Sequence, residues 1–197
     1  RLLNQTLGAC KFYRLQYFLS PNPLYSPAES AESLASRASK IRLLLLDVDG
    51  VLSDGRLYLS NSGEEIKTFH TLDGQGIRYA QAADIQIGII TGRESALLTR
   101  RCRDLDITIV HQGVKDKGVV LDALCEELDC KPESIAYMGD DFPDVAVMRR
   151  VGFAASVPAG HLSARSVAHS VTEATGGSGA VRELIDFLLQ CQNKMPY

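Results

Sequence analysis

The sequence predicts an α/β fold, in which a doubly wound, mostly parallel sheet is covered by helices on both faces. Short apolar runs alternate along the chain with longer segments of helical periodicity, which is typical of successive strand–helix units. The first of these runs is four consecutive leucines, Leu43–Leu46, as expected of a strand buried on both faces. A chain of 197 residues that is 45% hydrophobic can bury the core of one such domain.

From residue 41 onward the predicted elements follow one another in order. Short apolar runs predict buried strands at residues 41–47, 85–91, 107–111, 135–138 and 153–156. Apolar residues at helical spacing predict helices at residues 76–83, 94–104, 115–128, 143–150 and 180–192. Asn61-Ser62-Gly63 is a typical turn sequence, so residues 56–60 and 64–70 are expected to pair as a β-hairpin.

The first 40 residues differ from the rest, and we expect them to form an extension outside the domain of residues 41–192. Prolines at positions 21, 23 and 27 interrupt regular structure, and residues 28–40 have a composition compatible with a short helix. Lys11 and Arg14 interrupt the apolar run that precedes the prolines, which argues against a signal peptide. Residues 193–197 are the C-terminal end.

Composition excludes several classes of partner. A net charge of −3 argues against a nucleic-acid-binding protein, which would carry a clustered basic surface. No apolar run approaches the about 18 residues of a membrane span, so we expect no membrane segment. The five cysteines form no Cys-x-x-Cys pair, which predicts neither a disulfide framework nor a zinc site, and the expected location is the reducing cytoplasm.

Two acids follow the four leucines directly, in the sequence Asp47-Val48-Asp49-Gly50. Side chains two residues apart on an extended chain point the same way, so both carboxylates are expected beyond the C-terminal end of the strand. Open α/β sheets bind ligands at that edge, and two crowded acids repel each other unless they share a cation or a proton. Gly50 and Gly55 permit the sharp turns that take the chain away from the site.

Polar residues also follow three later strands, and a doubly wound sheet brings these positions to the same edge. They are Thr91-Gly92-Arg93, then Lys115, Asp116 and Lys117, and finally Gly139-Asp140-Asp141 with Asp144. Carboxylate oxygens without histidine or cysteine favour a hard cation such as Mg²⁺. The set suits phosphoryl transfer, in which one aspartate attacks phosphorus and a second acid protonates the departing alkoxide and then activates water. The metal, the lysine and the hydroxyl would neutralise the phosphoryl oxygens.

Each motif has an ordinary structural explanation when it is taken alone. An Asp-x-Asp at a strand end is often a simple turn or helix cap, Gly-Asp-Asp often leads into an N-capped helix, and an isolated lysine is usually solvated. The functional interpretation depends on all four motifs occurring in this order, each after a predicted strand.

With these motifs the chain resembles the haloacid dehalogenase-like phosphatases, which have a Rossmann-like fold. The four motifs of that superfamily match Asp47 to Val51, Thr91, Lys117, and Gly139-Asp140-Asp141 with Asp144. Within the superfamily the chain is similar to the phosphatases of 3-deoxy-D-manno-octulosonate 8-phosphate, most clearly at residues 49–55, 72–77, 112–117 and 176–183. The resemblance covers about residues 41–192.

The resemblance implies a metal-dependent nucleophilic mechanism. Asp47 would be the nucleophile and a Mg²⁺ ligand, and Asp140 would be a further protein ligand. Asp49 would be the general acid/base and would lend its backbone carbonyl to the metal. Asp141 and Asp144 would support the metal or orient the lysine of the third motif.

The resemblance also implies which residues bind the substrate. Thr91, Gly92 and Lys117 would hold the phosphoryl group, and Arg93 would meet the phosphate or the carboxylate of the sugar. The substrate would be the eight-carbon sugar acid phosphate, hydrolysed through an aspartyl-phosphate intermediate during lipopolysaccharide biosynthesis.

Phosphatases of this type lack a large cap domain and form homotetramers with active sites at the subunit interfaces. Only a hairpin and one helix fit between Asp49 and Thr91, which agrees with the absence of a cap. The hairpin of residues 56–70 and the glycine-rich tail of residues 175–179 match the elements that cover a neighbour's site in such assemblies. The tail is also explained as a simple loop before a helix.

Other functions remain open at this point. A phosphatase for a related nine-carbon sugar acid phosphate would have the same fold and catalytic residues. A non-enzymatic assembly module, like the C-terminal domain of animal sialic-acid cytidylyltransferases, would have lost catalytic acids that this chain retains. A receiver domain would carry its phosphorylated aspartate on a different strand from its acid pair.

Overall fold

The structure is a computed structural model that describes residues 31–63 and 65–196. Its strands are β1 (Leu43–Leu46), β2 (Tyr58–Leu59), β3 (Glu65–Ile66), β4 (Gln86–Ile90), β5 (Ile109–His111), β6 (Ile135–Met138), β7 (Phe153–Ser156) and β8 (Ser170–Val171). Its helices are α1 (Ala31–Ala38), α2 (Thr71–Ala82), α3 (Ala96–Asp104), α4 (Lys117–Glu127), α5 (Val145–Met148), α6 (Leu162–Arg165) and α7 (Ala180–Cys191).

Six of the strands form one parallel sheet in the order β5-β4-β1-β6-β7-β8. The central strand β1 pairs with β4 on one side and with β6 on the other, so that Leu45 lies between Gly88 and Tyr137. The chain first builds the sheet outward from β1 to β5 and then crosses to β6, which places the topological switch point between β1 and β6. This arrangement confirms the predicted doubly wound α/β fold.

The run of four leucines supplies both faces of the sheet. Leu44 and Leu46 pack in one apolar cluster with α1, α2, α3 and α7, whereas Leu43 and Leu45 pack in a second cluster with α4, α5 and α6. All four side chains are buried, because consecutive residues of a strand point to opposite faces and both faces are covered.

The segment between β1 and β4 contains no large cap domain in its described part. It consists of the two-stranded antiparallel hairpin β2–β3 followed by α2. Among the described residues the hairpin is shorter than predicted, since Tyr58 pairs with Ile66 and Leu59 with Glu65 and residues 67–70 are not in a strand. Residue 64, where the second hairpin strand was predicted to begin, lies outside the described residues.

Part of the predicted N-terminal extension is attached to the domain. The described portion, α1, contributes Leu34 and Ala38 to the core. The Gln192 side-chain amide after α7 donates to the carbonyl oxygens of Ala38 and Ile41 at 3.1 and 2.8 Å. Residues 1–30 of the predicted extension lie outside the described residues.

Several element boundaries differ from the prediction for local reasons. Helix α2 begins at Thr71 rather than at residue 76, because the His70 ring accepts a hydrogen bond from the Leu72 amide and caps its first turn. Helix α4 begins at Lys117 rather than at residue 115, because the Asp116 carboxylate caps it. The predicted helix 143–150 is a 3₁₀ turn over residues 142–144 followed by the short helix α5.

The helices of the described part are all too short or too polar to cross a lipid bilayer.

Candidate active site

The site begins where β1 ends. Asp47 follows the strand, and the chain then makes a tight helical turn over Val48–Leu52, in which Gly50 has φ +98°. A side chain at Gly50 would overlap the carboxylate of Asp140, so glycine is needed both for the backbone conformation and for the close approach of that acid. The turn places the carboxylates of Asp47 and Asp140 next to each other at the switch point of the sheet.

Lys117 links the acids of different strands. Its ammonium nitrogen lies 2.7 Å from Asp47 Oδ1 and 2.7 Å from Asp144 Oδ1, and its side chain is only 5% exposed. Burial alone would lower the pKa of Lys117, but the two carboxylates raise it above its ordinary value. The lysine is therefore a fixed positive charge beside Asp47.

Each carboxylate oxygen of Asp144 already accepts two hydrogen bonds. Its Oδ1 accepts hydrogen bonds from Lys117 and, at 2.6 Å, from the Tyr137 hydroxyl. Its Oδ2 accepts the backbone amides of Asp140 and Asp141, both at 3.0 Å. These contacts suit a residue that orients Lys117 and the loop carrying Asp140.

A divalent cation fits the acids of this site. Carboxylate oxygens of Asp47, Asp140 and Asp144 lie within 4.8 Å of one another. Burial raises the pKa of Asp47 to about 6 although Lys117 opposes it, and burial together with the other two acids raises the pKa of Asp140 to about 8. A cation would relieve this repulsion, and a donor set made only of oxygens is the one Mg²⁺ prefers.

The carboxylate of Asp49 points to a different side of the site from that of Asp47. Its Oδ1 accepts a hydrogen bond from Lys67 at 2.7 Å, and its Oδ2 lies 3.9 Å from Arg93 Nε. This carboxylate is absent from the group of three acids that could share a metal. The position agrees with a residue that offers the metal only its backbone carbonyl and keeps its side chain for proton transfer.

The loop after β4 carries three of the predicted phosphate-binding residues, Thr91, Gly92 and Arg93. Thr91 is buried and its amide donates to the His111 carbonyl of β5 at 2.9 Å. Gly92 and Arg93 are exposed, and Arg93 reaches across to Glu65 on the hairpin at 3.1 Å. The hydroxyl of Thr91 is thus on a rigid strand end, whereas Arg93 lies at the open side.

Asp141 lies at the start of the loop that follows Asp140. It is exposed, and its carboxylate accepts the Phe142 amide at 2.7 Å as a cap of the 3₁₀ turn. It makes no hydrogen bond or ion pair with Lys117 in the described part of the chain, but its charge helps to raise the pKa of Asp140.

Three residues of the site were missed in the sequence, namely Glu65, Lys67 and Tyr137. Lys67 follows β3 and has a side chain that is only 4% exposed. Its spacing from Glu65 was a usable signal, because residues two apart on a strand point the same way. Tyr137 had no such signal, since within a buried strand it is indistinguishable from a core residue.

Comparisons with known proteins agree with this geometry. A family model described as haloacid dehalogenase-like hydrolase matches residues 104–184. The 3-deoxy-D-manno-octulosonate 8-phosphate phosphatase of Yersinia pestis is 46% identical over 171 residues, which cover 87% of this chain and 90% of that protein.

Solved structures extend the agreement to three dimensions. A crystal structure of the Yersinia pestis phosphatase matches with a TM-score of 0.82 at 46% identity, over 83% of this chain and 89% of that one. The 3-deoxy-D-manno-octulosonate 8-phosphate phosphatase of Moraxella catarrhalis, in complex with a magnesium ion, a phosphate ion and a KDO molecule, matches with a TM-score of 0.81 at 40% identity, over 82% of this chain and 93% of that one.

Proposed function

This chain belongs to the family of 3-deoxy-D-manno-octulosonate 8-phosphate phosphatases, and we propose that it hydrolyses that ester to the sugar acid and inorganic phosphate for lipopolysaccharide biosynthesis. The observation that carries the mechanism is the buried lysine that joins Asp47 to Asp144 at the switch point of the sheet. The lysine holds the carboxylate of Asp47 in place and puts a positive charge beside it. The acids around Asp47 suit Mg²⁺, which is the cofactor.

Asp47 is the nucleophile in this proposal. One of its carboxylate oxygens attacks phosphorus and forms an aspartyl-phosphate, while the bond from phosphorus to the sugar oxygen breaks. Lys117 contacts Oδ1 of the same carboxylate at 2.7 Å, so it restrains the nucleophile and stabilises charge on the phosphoryl oxygens. Thr91 and the loop amides that follow it hold the phosphoryl group from the side of β4.

Asp49 transfers the protons. Its carboxyl group gives a proton to the departing sugar alkoxide and then takes one from the water that attacks the phosphorus of the aspartyl-phosphate. That second attack releases phosphate and restores Asp47. Lys67 and Arg93 hold the Asp49 side chain toward the hairpin, the side from which a sugar enters.

Asp47, Asp140 and the backbone carbonyl of Asp49 would hold Mg²⁺. When bound, the metal supplies positive charge against the phosphoryl oxygens and removes the repulsion between the acids. Arg93 is well placed for the phosphate or for the carboxylate of the sugar acid, because it is exposed at the mouth of the site.

The enzyme acts as a homotetramer in which the hairpin of one subunit covers the active site of the next. The support is an exposed apolar surface on the hairpin, where Leu57, Leu59 and Ile66 are 53, 68 and 59% exposed. Its location is the cytoplasm, which suits the four cysteines of the described residues, since none of them forms a disulfide bond.

Light scattering tests the assembly. Leu59→Asp is expected to give a smaller species than the tetramer, because a charge on the covered face opposes association. Leu162→Asp, at a leucine of α6 that is 56% exposed, is the matched control and should leave the tetramer intact. A fully active wild-type monomer would refute the shared site.

Phosphate release with Mg²⁺ tests the reaction and the substrate together. The panel contains the eight-carbon sugar acid phosphate, its nine-carbon relative and simple hexose phosphates. The proposal requires the highest kcat/KM for the eight-carbon acid. A preference for the nine-carbon acid would retain the mechanism and change the substrate, and release from none of them would contradict both.

A further inference from the structure

The glycine-rich tail lies across the turn that carries Asp49. We call residues 175–178 the strap. The Gly177 amide donates to the Val51 carbonyl at 3.0 Å. A side chain at Gly176 would overlap the Gly50 carbonyl, and one at Gly177 would come within 2.6 Å of the Asp54 amide nitrogen. The strap is therefore in backbone contact with the turn, and only glycine permits that approach.

Both ends of the strap are tied by carboxylates. Before it, the Glu183 side chain accepts the amides of Glu173 and Ala174 at 3.0 and 2.9 Å. After it, Asp73 on α2 accepts the Arg182 amide in the first turn of α7 at 2.8 Å. The Glu183 carboxylate accepts two backbone amides and the Asp73 carboxylate accepts one through Oδ1, and hydrogen bonds to a carboxylate are of the stronger, charge-assisted kind.

Asp73 replaces a missing helix cap. The residue at the N-cap position of α7 is Gly179, which has no side chain to accept an amide. Burial raises the pKa of Asp73, and the amides of Arg182, Gly179 and Val181 act against that rise, so the carboxylate faces the amino end of α7. A negative charge at that end is favourable to the helix.

Helices α2 and α7 pack closely where Asp73 meets the first turn of α7. A side chain at Gly76 of α2 would come within 2.9 Å of the Arg182 side chain and 3.2 Å of its Cα atom. The segments 72–77 and 176–183, both prominent in the sequence and otherwise without a role, therefore fit each other. Their contact continues through the strap to the turn of residues 48–52.

We propose that Asp73 is a positioning residue for proton transfer by Asp49 and that it acts through α7 and the strap; the proposal rests on the proposed phosphatase mechanism. Asp49 must reach the oxygen of the leaving group, and a displacement of about 1 Å at such a group can cost about 10²-fold in rate. Without the cap, the first turn of α7 and the strap lose their anchor, and the Asp49 turn loses the support of Gly177.

The test compares two leaving groups. A sugar alkoxide must be protonated as it departs, whereas the nitrophenolate of p-nitrophenyl phosphate departs without a general acid. The readout is the kcat/KM for the sugar phosphate divided by that for p-nitrophenyl phosphate. A loss of folded enzyme lowers both values equally and leaves the ratio unchanged, so the ratio isolates the positioning of Asp49.

Asp73→Ala is expected to lower this ratio about tenfold, because a displaced Asp49 would lose part of the about 10²- to 10⁴-fold that general acid–base catalysis contributes. Asp73→Asn keeps an oxygen acceptor, and asparagine caps helices about as well as aspartate, so it should recover most of the ratio. Asp186→Asn, which removes an ion pair with Arg182 elsewhere on α7, is the matched control and should leave the ratio unchanged.

An unchanged ratio in Asp73→Ala would overturn the proposal, and so would an equal fall in the control. Should Asp73→Ala not fold, Glu183→Ala frees the other end of the strap and must lower the ratio in the same way. If the wild type prefers a different sugar phosphate, the ratio is measured with that ester. The substrate assignment and the role of Asp73 are therefore tested independently of each other.

Discussion

The site has two halves that differ in how they are built. The strand-end cluster consists of Asp47, Lys117, Asp140 and Asp144, and the side chains of Asp47, Lys117 and Asp144 are at most 10% exposed. The hairpin cluster consists of Asp49, Glu65, Lys67 and Arg93, and there the Arg93 side chain is 43% exposed. The first cluster stands on the ends of three parallel strands and their following helices, whereas the second depends on a two-stranded hairpin.

The difference separates two tasks. Phosphoryl transfer needs charges fixed in advance, and rigid strand ends in a buried site provide them. Recognition of the leaving group and its protonation fall to the cluster at the open side, where the hairpin can be changed without disturbing the sheet. Substitutions in the two clusters should therefore have different consequences for activity and for stability.

The largest effect is expected from Asp47→Asn. The amide has the same shape but is a poor nucleophile, so turnover should fall by about 10⁴-fold or more. Circular dichroism and the gel-filtration volume should match those of the wild type. Turnover that persists in this variant would remove Asp47 from its role.

Lys117→Met should impair both activity and folding. The substitution leaves Asp47 and Asp144 buried and unpaired, which we expect to lower the free energy of unfolding by about 3 kcal/mol. The loss of charge on the phosphoryl group should lower kcat/KM by about 10³-fold. Denaturant unfolding and phosphate release measure the two effects, and Lys115→Met, at an exposed lysine two residues earlier, should change neither.

Lys67→Met should impair activity with little effect on folding. Without its 2.7 Å contact to Lys67, Asp49 is less well held, and kcat/KM for the sugar phosphate should fall by about 10- to 100-fold. The free energy of unfolding should change by less than about 1 kcal/mol, because the hairpin contributes little to the core. A loss of stability as large as that of Lys117→Met would contradict the division between the clusters.

The strand-end cluster should also make the metal-free protein sensitive to pH. The pKa values of Asp47 and Asp140 are raised to about 6 and about 8, so the folded state binds more protons than the unfolded chain between about pH 4 and 8. Stability in EDTA should therefore fall as the pH rises through this range, by about 5 °C in Tm, and Mg²⁺ should restore it most strongly at the higher pH. Asp140→Asn should flatten the EDTA profile, whereas a Tm that rises with pH in EDTA would be inconsistent with the raised pKa values.

The strand-end cluster was largely predictable from the sequence. The carboxyl ends of parallel strands share one edge of a sheet, so acids and a lysine that follow successive strands must approach one another. The hairpin cluster was not predictable to the same degree. The contact of Lys67 with Asp49 joins residues 18 apart in sequence, and it depends on how the hairpin folds back over the site.

The other differences between the predicted and the observed elements have similar physical causes. Gly74 and Gly76 weaken the helical pattern of α2, and the helix continues through them because each glycine admits an arginine from a neighbouring helix. The short elements α6 and β8 have too few residues to show any periodicity. The extent of α2 and the formation of α6 and β8 depend on tertiary contacts, which a local sequence pattern does not reveal.

The central claim is that Asp47 takes the phosphoryl group from the sugar. Rapid acid quenching during turnover of the sugar phosphate labelled at phosphorus, followed by proteolysis and mass spectrometry, tests it most directly. The account predicts a hydroxylamine-sensitive phosphoryl label on the peptide that contains Asp47, and no label in Asp47→Asn. A label on any other residue, or full turnover without a labelled protein, would contradict it.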